Sequence, residues 1–422
     1  MWFFEINKRN LAIILMLISF NLMSQNETNH WFFGENAGLD FNCGDVNVGN
    51  NGSRKTPAGC SSISTKTGAL LFYTNGVTVW NKNHQVMVNG LGLASDINYS
   101  QTSIIVPKPG DENTYYIFCT RVTPGTSPLL TSGVFYSTVE FTDQYPLGNI
   151  TSKNVRISSS STERITALHN FQDNSIKVIA FGGANELPNS PKNTFYVFNV
   201  TANGINYPPT TTTVFTTMSS VGVMKISPNG EILCMADYED RYLYFYYFNI
   251  EDSTFSHLYT INTDLFLIPI TPYGLAFSQD SMRLFYSGKN HSSGRSYLFQ
   301  FNFFADVDIN SRPIIDTSYD YEYGSLQLAT NGKIYVSNFS TNEDSSSLNS
   351  SNFISVINDP ENEDDLIDYQ PLSLSLESGN SLKGLPNFIP SFFRNRIIAK
   401  DKCVNETFEF SVDAFDIVFQ VP

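Results

Sequence analysis

The chain alternates short apolar runs with polar turns over most of its length. The stretch SPNGEILCMAD (227–237) is one example, in which an apolar run ends at Ile226, Pro228-Asn229-Gly230 turns the chain, and a second apolar run follows. An Asn-Gly turn between two apolar runs is the strongest short-range signal of a β-hairpin. This stretch therefore predicts two antiparallel strands.

The same pattern recurs along the chain. Predicted hairpin turns fall at positions 68, 113, 174, 230, 281 and 332, at intervals of roughly 45 to 60 residues, and such a period is typical of propellers and arrays. Most units add a third strand, such as RYLYFYYFNI, that is apolar on both faces. A strand that reads this way is covered on both sides. The pattern predicts an all-β fold of packed blades rather than a sandwich with one solvated face.

The two ends of this repeat region are incomplete units. GLPNFIPSFF (384–393) has the pattern of an inner strand, and HWFFGENAGLDFN (30–42) supplies outer strands without an inner one. A blade shared between the two ends would remove free sheet edges. The sequence thus predicts a seven-bladed β-propeller over residues 25–395, closed by a shared N- and C-terminal blade.

The flanking segments have different compositions. Lys8 and Arg9 precede the apolar stretch 11–20, which is too short for a membrane-spanning helix and suits a signal peptide. We therefore predict a signal peptide at 1–24, export from the cytoplasm, and no membrane span in the mature chain. Residues 396–422 are predicted to be a linker and an incomplete Ig/PKD-like β domain, since so few residues cannot bury a core.

The net charge of −15 and the isoelectric point near 4.7 narrow the range of partners. Nucleic acids and anionic lipid surfaces attract basic proteins, so neither is predicted as a partner. The dense acidic run Glu361–Asp368 lacks the alternating oxygen ligands and the turn glycine of a calcium loop. Calcium is therefore unsupported, and no cofactor is predicted.

The chain has five cysteines, and an exported protein is able to form disulfides. Cys43 and Cys60 bracket a short Gly/Asn-rich loop and are the one candidate disulfide pair, although their spacing leaves open whether the bond forms. Cys119 and Cys234 lie inside apolar strands, so we predict that they are buried thiols.

Candidate ligand-binding residues come from one connecting loop and one predicted inner strand. His84, Asn89 and Asp96 lie on or near the loop, and His169 is placed where its side chain would face the channel. The alternative interpretation is that both histidines hold loops in place by hydrogen bonds. Any binding site is expected on loops at one mouth of the channel, such as NYSQ (98–101).

A catalytic function is the alternative to a binding function. Glycosidases need two or three carboxylates directed at the substrate, and Asp96, Glu163 and Glu322 lie at the ends of predicted inner strands. Nothing in their spacing selects them. No serine–histidine–aspartate order, metalloprotease motif or phosphate loop occurs. No catalytic residue is therefore predicted.

Four stretches carry a resemblance to a known family: NHWFFGENAGLDFNCG, GALLFYTNGVTVWNKNHQVMVNGLGL, SQTSIIVPKPGDENTYYIFCT and GLPNFIPSFF. They resemble the N-terminal β-propeller of large secreted surface proteins with PKD or Ig-like repeats and a gliding-motility-associated C-terminal sorting domain. The resemblance implies type IX secretion and display at the outer cell surface. It implies a non-enzymatic binding, adhesion or display module with an unknown glycan or protein ligand; the alternative is a hydrolase or lyase acting on extracellular polysaccharide.

Overall fold

A computed structural model of the chain describes residues 26–394, apart from 44, 50–51, 53–54, 123–130, 185–189, 265–268, 304–312, 341–348 and 364–365, together with short strands at 397–399 and 410–412. These ranges hold β-strands and short 3₁₀ turns, and no α-helix. None of the helices described is long and apolar enough to cross a membrane. The predicted signal peptide (1–24) and most of 396–422 lie outside the described residues.

The strands form six sheets and one small terminal pair. The first sheet contains β1 (His30–Phe33), β2 (Ala37–Cys43) and β3 (Asp45–Gly49). The eight-stranded sheet contains β4 (Ser61–Ser64), β5 (Leu70–Thr74), β6 (Thr78–Asn81), β7 (Val86–Leu91), β8 (Ser103–Pro107), β9 (Thr114–Arg121), β10 (Gly133–Glu140) and β11 (Asn149–Ser158). The third sheet contains β12 (Ile165–Asn170), β13 (Ser175–Gly183), β14 (Lys192–Thr201), β15 (Gly204–Ile205) and β16 (Thr210–Thr213).

The remaining sheets continue in chain order. The fourth sheet contains β17 (Met224–Ile226), β18 (Ile232–Asp237), β19 (Tyr242–Asn249) and β20 (Thr254–Asn262). The fifth contains β21 (Thr271–Phe277), β22 (Arg283–Lys289), β23 (Ser296–Asn302) and β24 (Ile314–Ser318). The sixth contains β25 (Glu322–Leu328), β26 (Ile334–Ser340), β27 (Asn349–Ser350), β28 (Phe353–Ile357) and β29 (Tyr369–Ser375). The terminal pair is β30 (Ile397–Ala399) with β31 (Phe410–Val412).

The eight-stranded sheet consists of two antiparallel four-stranded meanders. Its strand order places β4 and β8 at the two edges and joins the meanders through β7 and β11. That junction is parallel and has one residue pair, Val88 with Asn149. The other sheets are antiparallel throughout.

The SPNG hairpin is confirmed by the pairing of β17 with β18. Ile226 lies opposite Leu233, and the Gly230 N–H donates to the Ser227 carbonyl to close the turn. Gly230 has a φ of 84°, and a Cβ at this position would lie 2.5 Å from a methyl group of Leu168 in the neighbouring sheet. Both the turn and the packing between sheets therefore require glycine here.

The sheets pack face to face in a closed ring. Separate apolar cores join the two halves of the eight-stranded sheet, the eight-stranded sheet to the third, the third to the fourth, and the fourth to the fifth. The largest core joins the fifth and sixth sheets to the first, where the Trp31 ring lies 5.5 Å from the Tyr335 ring. The first sheet meets the eight-stranded sheet through stacked Phe32 and Tyr73 rings, 4.5 Å apart. This closure is the propeller-like arrangement that the repeat predicts.

Residues 380–389, here called the channel segment, run between the first and sixth sheets. The prediction of an inner β-strand at 384–393 is wrong. Among the described residues, single bridges at Asn380, Ser381 and Pro386 tie the segment to residues 35, 351 and 60, and Pro390–Phe393 form a 3₁₀ turn. Pro386 has no N–H to donate to a strand ladder. The predicted meeting of the two chain ends is nevertheless present, since Phe388 packs 5.8 Å from the Trp31 ring.

Candidate binding site at the channel mouth

Six strands surround a central channel. They are the first strand of each meander of the eight-stranded sheet and the first strand of each of the third to sixth sheets: β4, β8, β12, β17, β21 and β25. Residues just before these strands contact one another at one end, here called the mouth. Gln101, which precedes β8, accepts hydrogen bonds from the backbone N–H groups of Ile165 and Met224, the first residues of β12 and β17. The mouth is thus the place where side chains from distant parts of the sequence meet.

Glu163 lies at the mouth immediately before β12 and is only 7% exposed. Its carboxylate accepts a hydrogen bond of 2.8 Å from the backbone N–H of Ser100. Burial raises the pKa of Glu163, against the opposing effects of that hydrogen bond and of the positive charges of Arg164 and Lys383. Glu163 is therefore a carboxyl group that gains a proton more readily than an exposed glutamate.

Lys383, from the channel segment, places its ammonium group over two tyrosine rings. The Nζ atom lies 3.8 Å from the ring centre of Tyr273 and 5.2 Å from that of Tyr238. A cation over an aromatic face is attracted by the negative face of the ring. Burial lowers the pKa of Lys383 to about 8, while the charges of Glu163 and Glu322 act in the opposite direction.

The rim of the mouth carries further ionic and aromatic groups. Lys289, at the end of β22, pairs with Glu322, at the start of β25. The exposed ring of His291 lies 3.5 Å from the Tyr238 hydroxyl. Partial burial lowers the pKa of His291, and the nearby charge of Lys289 adds to this effect. The mouth thus combines tyrosine rings with charges of both signs.

Below the mouth the channel is filled by polar side chains. Lys225 donates hydrogen bonds to Gln327 (2.7 Å) and Asn387 (3.1 Å). Asn387 in turn donates to the carbonyl oxygens of Ser103 and Ile165. The remaining space is a cavity of about 10 Å³, which is room for about one water molecule. A substrate of sugar size therefore reaches the mouth and not the interior of the channel.

The mouth has the chemistry of a binding surface. Tyrosine rings offer apolar faces with a polar tip, and the carboxylates and ammonium groups offer acceptors and donors for hydroxyl groups. Within the described residues no group of three or more histidine, cysteine, aspartate and glutamate side chains is placed to hold a metal ion.

The structure does not bring the four predicted ligand-binding residues together. His84 occupies a turn (φ 60°), and its ring accepts or donates a hydrogen bond of 3.1 Å with the Tyr73 hydroxyl. Asn89 bonds to Asn149 across the outer strands of the two meanders. Asp96 holds its own loop by accepting from Asn98. His169 lies at the end of β12, with its ring 4.2 Å from that of Phe171 and bonded to Asn174.

Two of the three carboxylates named for a hydrolase, Glu163 and Glu322, do lie at the mouth. Residues 98–101 also lie there, as expected for a mouth loop. Sequence reasoning missed Lys383, Tyr273 and Tyr238. No local signal marks them, because their role depends on which strand ends converge in three dimensions.

The structure describes the side chains of three of the five cysteines: Cys60, Cys119 and Cys234. Cys60 is a buried thiol. The side chain of Cys43 lies outside the described residues, so the Cys43–Cys60 disulfide stays a prediction. Burial raises the pKa of Cys60 well above its usual value. Cys119 and Cys234 are free and buried, as predicted.

The closed ring of sheets around a channel defines the class of the chain as a β-propeller. No protein-family model matches it, and no curated protein sequence matches it significantly. Solved structures that are similar to it include the Cps50 (Swd1) β-propeller domain of Myceliophteria thermophila, with a TM-score of 0.43 and 9% identity over 74% of this chain and 92% of that one.

Two further similar structures are the periplasmic gluconolactonase of Pseudomonas aeruginosa (TM-score 0.35, 14% identity, 68% of this chain and 88% of that one) and a luciferin-regenerating enzyme (TM-score 0.40, 12% identity, 69% and 87%). At these values the likeness concerns the architecture alone and carries no information about activity.

Proposed function

We propose that this chain is a non-enzymatic binding module that takes a glycan on its channel mouth. The observation that carries the proposal is the combination of a filled channel with a rim on which His291 is exposed and Tyr238, Lys289 and Glu322 are half-buried. Sugars are bound by rings that stack on their faces and by charged groups that bond to their hydroxyls. The filled channel leaves no deep cleft in which a substrate would be shielded from water.

The biological setting is part of the same proposal. The signal-like segment at 1–24 and the resemblance of residues 28–395 to propellers of secreted surface proteins support export, with type IX secretion as the route and adhesion or display at the cell surface as the role. We further propose that the two meanders of the eight-stranded sheet are separate blades. With the first sheet completed by the channel segment, the ring then has seven blades.

A glycan array probed with the full chain tests the binding proposal. We expect a defined set of glycans to bind, and substitution of Lys383→Gln or Glu322→Gln to weaken binding about tenfold or more, because each removes a hydrogen bond to a charged group. Lys66→Gln and Glu112→Gln are matched controls, since these residues form an exposed ion pair away from the mouth. Equal loss in all four variants, or no bound glycan, would contradict the proposal.

The second candidate is a polysaccharide hydrolase or lyase. One observation favours it: burial raises the pKa of Glu163, and a carboxyl group that holds its proton more readily than an exposed glutamate is better suited to act as a general acid. An activity screen on the glycans retained by the array separates the two functions. Turnover by the full chain that disappears in Glu163→Gln would replace the binding proposal with the enzymatic one.

A further inference from the structure

Lys225 lies in the centre of the channel, and none of the described carboxylates forms an ion pair with it. It is 8% exposed, and its ammonium group donates to two neutral amide oxygens, those of Gln327 and Asn387. Within the part of the chain that the structure describes, the titratable group that acts on it is the Cys60 thiol, which stays protonated because burial raises its pKa. A buried ammonium group is costly unless an opposite charge accompanies it.

The cavity beside Lys225 has walls that suit a small anion. Its polar lining consists of Lys225, hydroxyl groups of Ser100 and Ser325, and the amides of three residues; its apolar lining includes Val223, Leu275, Leu326 and Leu385. No carboxylate belongs to this lining.

The amide groups of the lining are already engaged. Gln101 and Gln327 donate to backbone carbonyls, and Asn387 donates to two more. The donors that the lining residues still offer are the hydroxyls of Ser325 and Ser100, the latter also lying against the Glu163 carboxylate, and the remaining N–H of the Lys225 ammonium, which has three donors in all.

A buried tyrosine lies next to two residues of the cavity lining. Tyr273 is 4% exposed, and its hydroxyl is close enough to Ser100 and Ser325 to interact with both without a hydrogen bond of normal geometry. It lies beside Ser100 and Ser325, which both line the cavity.

We propose that the channel cavity binds a single halide ion, chloride under ordinary conditions, held by the ammonium group of Lys225 and the hydroxyl groups of Ser100 and Ser325. The volume of about 10 Å³ admits one monatomic species and excludes polyatomic anions such as sulfate. The halide supplies the negative charge that Lys225 lacks, and its site is formed by residues of the eight-stranded, fourth and sixth sheets. Binding therefore ties these sheets together at the axis of the ring.

Thermal unfolding of the full chain in different sodium salts at pH 6 and equal ionic strength tests the site. We expect the Tm to rise by roughly 2 °C for each tenfold increase of chloride above its Kd, and bromide to act likewise. Acetate and sulfate are expected to change the Tm only through their general effect on protein stability, and this change is expected to be equal in the parent chain and in Lys225→Met. The chloride-specific increment is expected to vanish in Lys225→Met and to persist in Lys177→Met, a matched control because Lys177 is equally buried.

A bromide derivative gives an independent reading. We expect an anomalous scattering peak beside Lys225 in crystals of the full chain, and none in crystals of Lys225→Met. Should Lys225→Met fail to fold, Ser325→Ala takes its place and is expected to weaken the halide effect without abolishing it. Absence of both the peak and the chloride-specific rise in Tm would overturn the proposal and leave the cavity to water.

Discussion

The two ends of the channel differ in chemistry although the same six strands form both. At the mouth, where these strands begin, Glu163, Glu322, Lys289 and Lys383 surround two tyrosine rings. At the opposite end, the last residues of three strands, Ile226, Phe277 and Leu328, face the 3₁₀ turn Pro390–Phe393 across a small cavity of about 20 Å³. The 3₁₀ turn at 390–393 therefore closes one end with apolar contacts and leaves the other end available to ligands.

Truncation after residue 383 gives the largest expected effect on this contrast. It removes four buried apolar side chains, those of Leu385, Phe388, Ile389 and Phe393. At about 1.5–3 kcal/mol for each buried side chain, the loss is about 6 kcal/mol or more. We expect a chain ending at 383 to aggregate or to melt far below one ending at 395, as measured by calorimetry and light scattering. Equal melting temperatures and a monomeric shorter chain would show that the channel segment does not close the ring.

Phe393→Ala tests the closed end alone. This side chain is 2% exposed and lines the small cavity at that end. Its truncation is expected to cost about 3–5 kcal/mol of unfolding free energy while leaving ligand affinity at the mouth unchanged. Denaturant titration and the glycan binding assay measure the two quantities; a change in affinity would mean that the two ends are coupled.

Lys225 makes the stability of the ring depend on pH. Burial lowers its pKa in the folded state from 10.5 to about 7, so between pH 7 and 10.5 the unfolded chain binds more protons than the folded one. Stability therefore rises with pH across this window, by at most about 1.4 kcal/mol per pH unit for this group. In a halide-free buffer, the slope of unfolding free energy against pH is expected to be smaller in Lys225→Met. Identical slopes in both chains would rule out this contribution.

Glu163→Gln is expected to have the smallest effect on stability. Burial raises the pKa of Glu163 in the folded state, so its contribution is fully present below its unfolded pKa and is lost as the pH rises through the folded value. A glutamine keeps an acceptor for the Ser100 N–H without the buried charge. We expect the variant at pH 7 to melt within about 1 °C of the parent, corresponding to less than about 1 kcal/mol. A large destabilisation would indicate that the negative charge is needed to hold Lys383.

The sequence predicts the hairpins because their signals are local. The Asn-Gly dipeptide at 229–230 predicts a tight turn, and the largely apolar composition of β19 predicts a buried strand. The same reasoning fails to predict the structure of the channel segment. Its apolar residues suit a strand, but Pro386 and Pro390 interrupt any ladder, and Asn387 satisfies carbonyl groups of two other strands instead.

The binding site is only partly visible in the sequence. Glu163 and Glu322 are accessible to prediction because they flank recognisable strands. Lys383 and Tyr273 become neighbours only after the ring closes, since 110 positions separate them along the chain. The prediction for His84 rests on a polar residue in a conspicuous loop. The structure shows a left-handed backbone there and a hydrogen bond between the His84 ring and the Tyr73 hydroxyl.

The course of the channel segment has a mechanical consequence. Lys383 lies at the mouth and Phe393 at the far end, so tension applied to the chain beyond residue 394 is directed along the axis of the ring. It reaches Asn387, which is bonded to Cys60, Ser103, Ile165 and Lys225. These four residues belong to different parts of the ring, so their bonds resist the pull together and do not open one after another. Force is thereby shared around the ring while the mouth stays clear of the stretched chain.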